Sequence, residues 1–234
     1  MTPPKKSFCF AAKFNTPAHS FESPHGAPPI PHGGEAPPHK MAHDATAVFL
    51  PYMYRFKELY SQGGGQVTTM EFNNQAKPAE RYSAISHALT CAPSGLDAVA
   101  YFGHGFPHGM ASAHIYDANI DAFARLLESK CNPGVKIILY ACSCGRRGEI
   151  NGCFAAKLAN RLSGLGAQVF GHDVAGHAAT SYTVFRYPGG VQVAPPGTYG
   201  GNGAFKRALK KHGSTLWARF PFMTAAELAA EVRA

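Results

Sequence analysis

Two uninterrupted apolar runs, AVAYF at residues 98–102 and VKIILYA at residues 135–141, constrain the fold of this chain more than any other feature. Such a run offers water no polar face, so it belongs inside a parallel sheet covered on both sides. Between the runs, Ile120, Phe123, Leu126 and Leu127 recur at helical spacing, and the stripe stops near Asn132-Pro133-Gly134. After the second run, Phe154, Leu158 and Leu162 mark another helix, Gly164 stops it, and AQVFG at 167–171 reads as a third strand. Strand, helix, strand, helix, strand with short connections requires right-handed crossovers. The expected class is α/β, with a mostly parallel central sheet and helices on both faces.

Outside this block the signals are more local. TAVFLP at 46–51 reads as a short strand, MYRFKELY as a turn or two of helix ended by Gly63-Gly64-Gly65, and QVTTMEF as a half-buried strand. Pro78 sits where a first helical residue belongs, with Tyr82, Ile85 and Leu89 following at helical spacing. SYTVFRYP and VQVAP, joined by Gly189-Gly190, read as a hairpin at the sheet edge, and Phe205–Lys211 as a short basic helix. Thr224 and Glu227 form a capping box that opens a last helix. Residues 1–44 are expected to be a loosely attached arm. Their stretch PAHSFESPHGAPPIPHGGEAPPH cannot form a ladder or a helix, and its four histidines read as low-complexity linker. The expected division is this arm, a folded domain over 45–200, and a helical extension over 201–234.

Composition narrows the function. A net charge of +8 invites a nucleic-acid partner, yet the cations are scattered apart from Lys5–Lys6, Arg146–Arg147 and the cluster Lys206, Arg207, Lys210, Lys211. That cluster reads as a solvated helix face, so no specific nucleic-acid site is expected. Six cysteines in a chain this long form no secreted disulfide framework, which points to a reducing compartment. No run approaches the ~18 apolar residues of a membrane span. The stretch MTPPKKSFCFAAKF is broken by Lys13 and too short to serve as a signal peptide. A cytoplasmic location is expected, or export by a route that ignores signal peptides.

Chemistry collects where the two apolar runs end. The first leads into Gly103-His104-Gly105 and the second into Cys142-Ser143-Cys144-Gly145. In open parallel sheets, ligands sit beyond the carboxyl ends of the strands. A cysteine there, facing the N-terminus of the next helix, gains thiolate character, and a neighbouring imidazole supplies a base. Cys91, Cys131 and Cys153 lie in or beside helical stretches and read as buried structural thiols.

YFGHG followed by a strand ending in ACSCG resembles the caspase-like cysteine peptidases, a group that includes caspases, legumains, gingipains, clostripain, separases and bacterial CHAT domains. The likeness spans roughly residues 46–190. It implies a three-layer sandwich of caspase type, with Cys142 as nucleophile, His104 as base, and the amides of Gly105 and Cys142 as the oxyanion hole. It also implies a cysteine endopeptidase, bacterial in type, acting on protein or peptide substrates without a cofactor; a compact chain with a low-complexity arm and no signal peptide is expected to suit a delivered effector or toxin. The segment Gly171–Tyr187 would help build the specificity pocket, where Asp173 either pairs with a basic substrate side chain or caps a turn or meets Arg186. Cys144 would line the substrate site, replace Cys142 as nucleophile, or pair with it on oxidation. Asp117 reads as a cap for the helix from Ile120, and His108 and His114 as solvated loop residues. Two other readings stay open. One is an inactive scaffold of the same fold; the other is a zinc site drawn from His104, His108, Cys142, Cys144, His172 and His177.

Overall fold

In the computed structural model, which describes residues 3–13, 49–149, 151–173, 184–193 and 221–222, both apolar runs are neighbouring strands inside a seven-stranded sheet. The elements in chain order begin with β1 (Lys6–Ala12), α1 (Phe49–Gln62), β2 (Gln66–Phe72), α2 (Pro78–Cys91) and β3 (Leu96–Phe102). A small hairpin of β4 (Gly109–Met110) and β5 (Ile115–Tyr116) precedes α3 (Ile120–Lys130), β6 (Cys131–Tyr140) and α4 (Phe154–Arg161). Then come β7 (Gln168–His172), β8 (Val184–Tyr187) and β9 (Val191–Gln192). The strands lie in the order β2-β1-β3-β6-β7-β8-β9. The pairs from β2 to β7 are all parallel, while β8 and β9 close the edge antiparallel.

Side-chain alternation splits the core into two layers. Phe8, Phe10, Val99, Tyr101, Ile137, Leu139 and Val169 point to one face and pack with Ile85, Leu89, Phe123, Leu127, Phe154 and Leu158 of α2, α3 and α4. Cys9, Ala11, Ala98, Ala100, Phe102, Ile138, Tyr140 and Phe170 point to the other and pack with Phe49, Tyr52, Met53, Phe56 and Tyr60 of α1. This is a mixed α/β fold with a mostly parallel central sheet and, among the described residues, four helices divided between its faces.

The expected arm does not extend through all of residues 1–44. Ser7–Ala12 is buried along its whole length, with β2 on one side and β3 on the other. Its apolar stretch is short and runs into a Pro-rich sequence, so composition masked a strand that burial on both faces makes central. Phe10 is 1% exposed and its ring lies 5.2 Å from Tyr101 and 6.2 Å from Phe72. Residues 14–48 lie outside the described ones. The strand expected at 46–51 is replaced from Phe49 onward by the first turn of α1, where Pro51 is tolerated because early helical amides have no intrahelical acceptor. The helices expected at 205–211 and from 224 also lie outside the described residues. Phe222, from the expected extension, is part of the core: 4% exposed, with its ring 5.2 Å from that of Tyr60.

Two outcomes follow from this packing. Phe10→Ala removes a ring wedged between two aromatic partners and is expected to lower unfolding stability by about 3–5 kcal/mol in urea titration, whereas a substitution in a loose arm would cost nothing measurable. The Cys131 thiol, pushed by burial from the usual 9.0 up to about 12, stays protonated in the folded state after the unfolded chain has ionised. Its contribution is intact below pH 9 and lost between 9 and 12. Thermal melts are therefore expected to show a falling Tm as pH rises through that window, and Cys131→Ala to fall less.

Candidate functional site

Register brings the histidine and cysteine loops together. The last matched pair of β3 and β6 is Phe102 with Tyr140, so His104 and Cys142 each lie two residues beyond it on adjacent strands. The rings of Phe102 and Tyr140 stack on the α1 face, 4.5 Å apart and 14° from parallel, forming a floor at the strand ends. Gly103 donates its N–H to the Tyr140 carbonyl at 3.4 Å, continuing the contact one residue past the ladder. The imidazole of His104 meets the ring of Phe49, at the start of α1, edge-on at 5.2 Å. Both His104 and Cys142 are partly exposed.

Contact between the two loops is closest at Gly105. A Cβ there would lie 2.5 Å from the Cys144 sulfur, 2.8 Å from the Ala141 Cβ and 3.0 Å from the Cys142 carbonyl oxygen. No side chain fits, so glycine at this position is a packing requirement. Immediately after Cys142 the chain turns through Ser143, a non-glycine residue in the left-handed region at φ 55°. This conformation is strained for an L-residue and persists because the surroundings hold it.

Those surroundings come from β7, β8 and α4. The Gly145 N–H donates to the His172 carbonyl at 2.8 Å, and the Tyr187 hydroxyl donates to the Gly145 carbonyl at 3.0 Å. The Arg147 N–H donates to Asp173 Oδ1 at 3.0 Å, and the Arg147 guanidinium lies 4.3 Å over the Phe185 ring. Asp173 thus ties down the loop after Cys142 and stands at its rim. The sequence expectation set a helix N-terminus directly after Cys142. Instead a loop of turns intervenes, and the first amides of α4 donate elsewhere, Phe154 to the Pro107 carbonyl at 2.6 Å and Ala155 to the Cys144 carbonyl at 2.9 Å.

Cys144 is placed differently from its expected roles. It is fully buried, its thiol donates to the Gly109 carbonyl at 3.4 Å, and burial holds its ionisation well above the usual range, with smaller contributions from Cys142 and Cys153. A substrate contact or a nucleophilic attack needs a sulfur that solvent can reach, and this one is sealed under the β4–β5 hairpin. Cys131 and Cys153 are buried as expected, whereas Cys91 is exposed, with its sulfur 3.7 Å from His87 Nε2.

The loop from Phe106 to Asp117, whose histidines read as solvated in the sequence, holds that hairpin and a chain of polar side chains. His108 lies between Asp117 (3.3 Å) and Glu149 (3.9 Å), joining the histidine-side loop to the cysteine-side loop. Asp117 also pairs with Lys157 of α4 at 2.5 Å, and the N-cap of α3 is Asn119, so the expected helix cap at Asp117 is a bridge instead. His114 packs its ring 4.5 Å from Tyr116, and burial, then Arg81, lowers its pKa. Among the described residues no three His, Cys, Asp or Glu side chains gather to hold a metal ion; His177 lies outside them. No described helix is long and apolar enough to cross a membrane.

A family model described as "Domain of unknown function (DUF8616)" matches residues 71–189, a span that contains both loops. No curated protein matches the chain. Among solved structures, the chain is similar to a complex of the RgpB pro- and mature domains from Porphyromonas gingivalis, at 13% identity and a TM-score of 0.37. That match covers 75% of this chain and 34% of the other, so the chain spans about a third of the length of that neighbour.

Gly105→Ala tests the loop contact. The added methyl must push the Cys144 and Ala141 side chains away, and the variant is expected to lose about 1–3 kcal/mol of stability, as overpacking does, in chemical denaturation. Gly164→Ala, where nothing lies within 4 Å and the backbone is not left-handed, meets no such clash and provides the comparison for an exposed glycine.

Proposed function

The chain belongs to the family whose model spans residues 71–189, and from the geometry of its strand ends we propose that it is a cysteine-dependent hydrolase acting on peptide bonds through Cys142 and His104. One observation carries this reading. An imidazole and a partly exposed thiol stand at matched positions past Phe102 and Tyr140, on adjacent parallel strands whose loops touch at Gly105.

In this mechanism His104 accepts the Cys142 proton, and the thiolate forms a C–S bond to the substrate carbonyl carbon. The amides of Gly105 and Cys142 stabilise the resulting oxyanion. The C–N bond then breaks as the departing amine takes the proton from His104, leaving a thioester on Cys142. Water, deprotonated by His104, hydrolyses the thioester and releases a carboxylate, restoring the thiol. Loop connections suit the task, because Asp173, His172 and Tyr187 fix the cysteine loop from the far side without using either reacting group. The substrate is a protein or peptide, and the chemistry needs no cofactor.

Exposure offers a sharp control. Cys91 is the exposed cysteine while Cys142 is only partly open, so accessibility alone favours alkylation of Cys91. An activated dyad reverses that order: at neutral pH, peptide mapping after brief iodoacetamide treatment is expected to find Cys142 labelled first. Cys142→Ala is expected to abolish cleavage of a randomised peptide library, and a chelator to leave it unchanged. Labelling of Cys91 ahead of Cys142, together with a library left intact by the unmodified chain, would overturn the proposal.

A further inference from the structure

We propose that Tyr101 and Ser112 are positioning residues for His104, two buried hydroxyl side chains that hold its backbone from both ends. The inference rests on the His104–Cys142 reading above and deepens it.

The need arises from the residues flanking His104. A Cβ on Gly103 would collide with the Tyr101 hydroxyl, and one on Gly105 would lie 2.5 Å from the Cys144 sulfur, so both neighbours must be glycine. Two glycines give the backbone around a base far more freedom than other residues would. A base displaced by about 1 Å can lose two orders of magnitude in rate, so that freedom has to be removed.

Two hydrogen bonds remove it. The Tyr101 hydroxyl donates to the His104 carbonyl at 2.7 Å, and the His104 N–H donates to Ser112 Oγ at 3.1 Å. Tyr101 and Ser112 are each 1% exposed. Tyr101 reaches His104 from the face covered by α2, α3 and α4, while the imidazole lies against Phe49 on the α1 face. The backbone is therefore gripped from one side of the sheet and the ring seated on the other. Ser112 is itself anchored: its carbonyl accepts from Arg81 Nη1 at 3.4 Å, and Arg81 Nε donates to the Ala76 carbonyl at 2.6 Å. This chain runs from α2 through the β4–β5 hairpin to the base.

Tyr101 also calls for an account on its own terms. Burial among apolar side chains pushes its hydroxyl ionisation well above the usual range, and a phenylalanine would fill the same space without desolvating an O–H. What the hydroxyl adds is its bond to the His104 carbonyl, and with it contacts to the Ser112 side chain and the Ala113 amide that join the two halves of the grip.

A double-mutant cycle separates this role from plain structural support. The readout is the rate of Cys142 alkylation by iodoacetamide from pH 5 to 9, with the folded state checked by circular dichroism and Tm. Tyr101→Phe and Ser112→Ala are each expected to slow alkylation at pH 7 by roughly five- to tenfold, the size of one lost net hydrogen bond, and to move the pH profile toward that of an ordinary thiol. Ser112→Thr, which keeps the hydroxyl, is expected to retain most of the rate. In a His104→Ala background, Tyr101→Phe is expected to change nothing further. The inference is overturned if Tyr101→Phe and Ser112→Ala leave rate and profile unmoved while His104→Ala lowers them. It is equally overturned if Tyr101→Phe slows alkylation as much without His104 as with it. Should Tyr101→Phe fail to fold, the Ser112 pair decides the matter alone. If His104→Ala itself leaves Cys142 unchanged, the dyad reading falls and the grip falls with it.

Discussion

The parallel pairing of β3 with β6, ending at Phe102 and Tyr140, is the constraint on which the rest of the molecule depends. A parallel ladder fixes both register and direction, so whatever follows the two strands emerges at one height and on one side of the sheet. The stacked rings of Phe102 and Tyr140 close the core just below that level. A slip of one residue would turn every side chain of the strand to the opposite face, sending Phe102 away from α1 and Tyr101 toward it. Burial on both faces makes such a slip prohibitively costly, and the geometry of the histidine and cysteine loops inherits that certainty.

Above the ladder, polar bonds are added to apolar packing, since Met110, Ala113, Ile115 and Cys144 of the two loops remain in the core. The loop after Cys142 is tied to β7 through Gly145 and Asp173 and to β8 through Tyr187. The loop after His104 is tied through Ser112, and the two are bridged at their rims by His108 and Glu149. A rigid scaffold thus carries loops that polar bonds fix in place. The strained Ser143 turn fits the same arrangement, since the surrounding bonds keep it in place.

Elements buried on both faces were legible in the sequence because continuous apolar runs have few alternative fates. β3, β7 and the helices α2, α3 and α4 fall close to where periodicity and stop signals set them, while β6 begins at Cys131 and runs through the expected stop at Asn132-Pro133-Gly134. β1 was not legible: its neighbours in space are β2 and β3, remote in sequence, and a short apolar stretch beside a Pro-rich one carries no local mark of being central. The first turn of α1 was misread for a related reason, since Phe49, Leu50 and Pro51 taken alone do not reveal a helical period. The matched register of His104 and Cys142, each two residues past the last strand pair, could be read because both sit at the ends of strong strands. The β4–β5 hairpin, the burial of Cys144 and the bridging by Asp117 could not, because each depends on what folds over the loop from a distance.

The spatial order of the strands has a consequence for how the protein is made. Starting from β1, the sheet grows by adding β2 on one side, then β3 on the other, and afterwards β6, β7, β8 and β9 in succession along a single edge. Space therefore repeats the order of translation, and each strand leaving the ribosome finds a finished edge awaiting it. Parallel strands are slow to pair and leave sticky edges while they wait. Here the wait at every stage lasts only as long as the synthesis of the segment joining one sheet strand to the next, which limits the time a nascent chain spends with a template open to strangers.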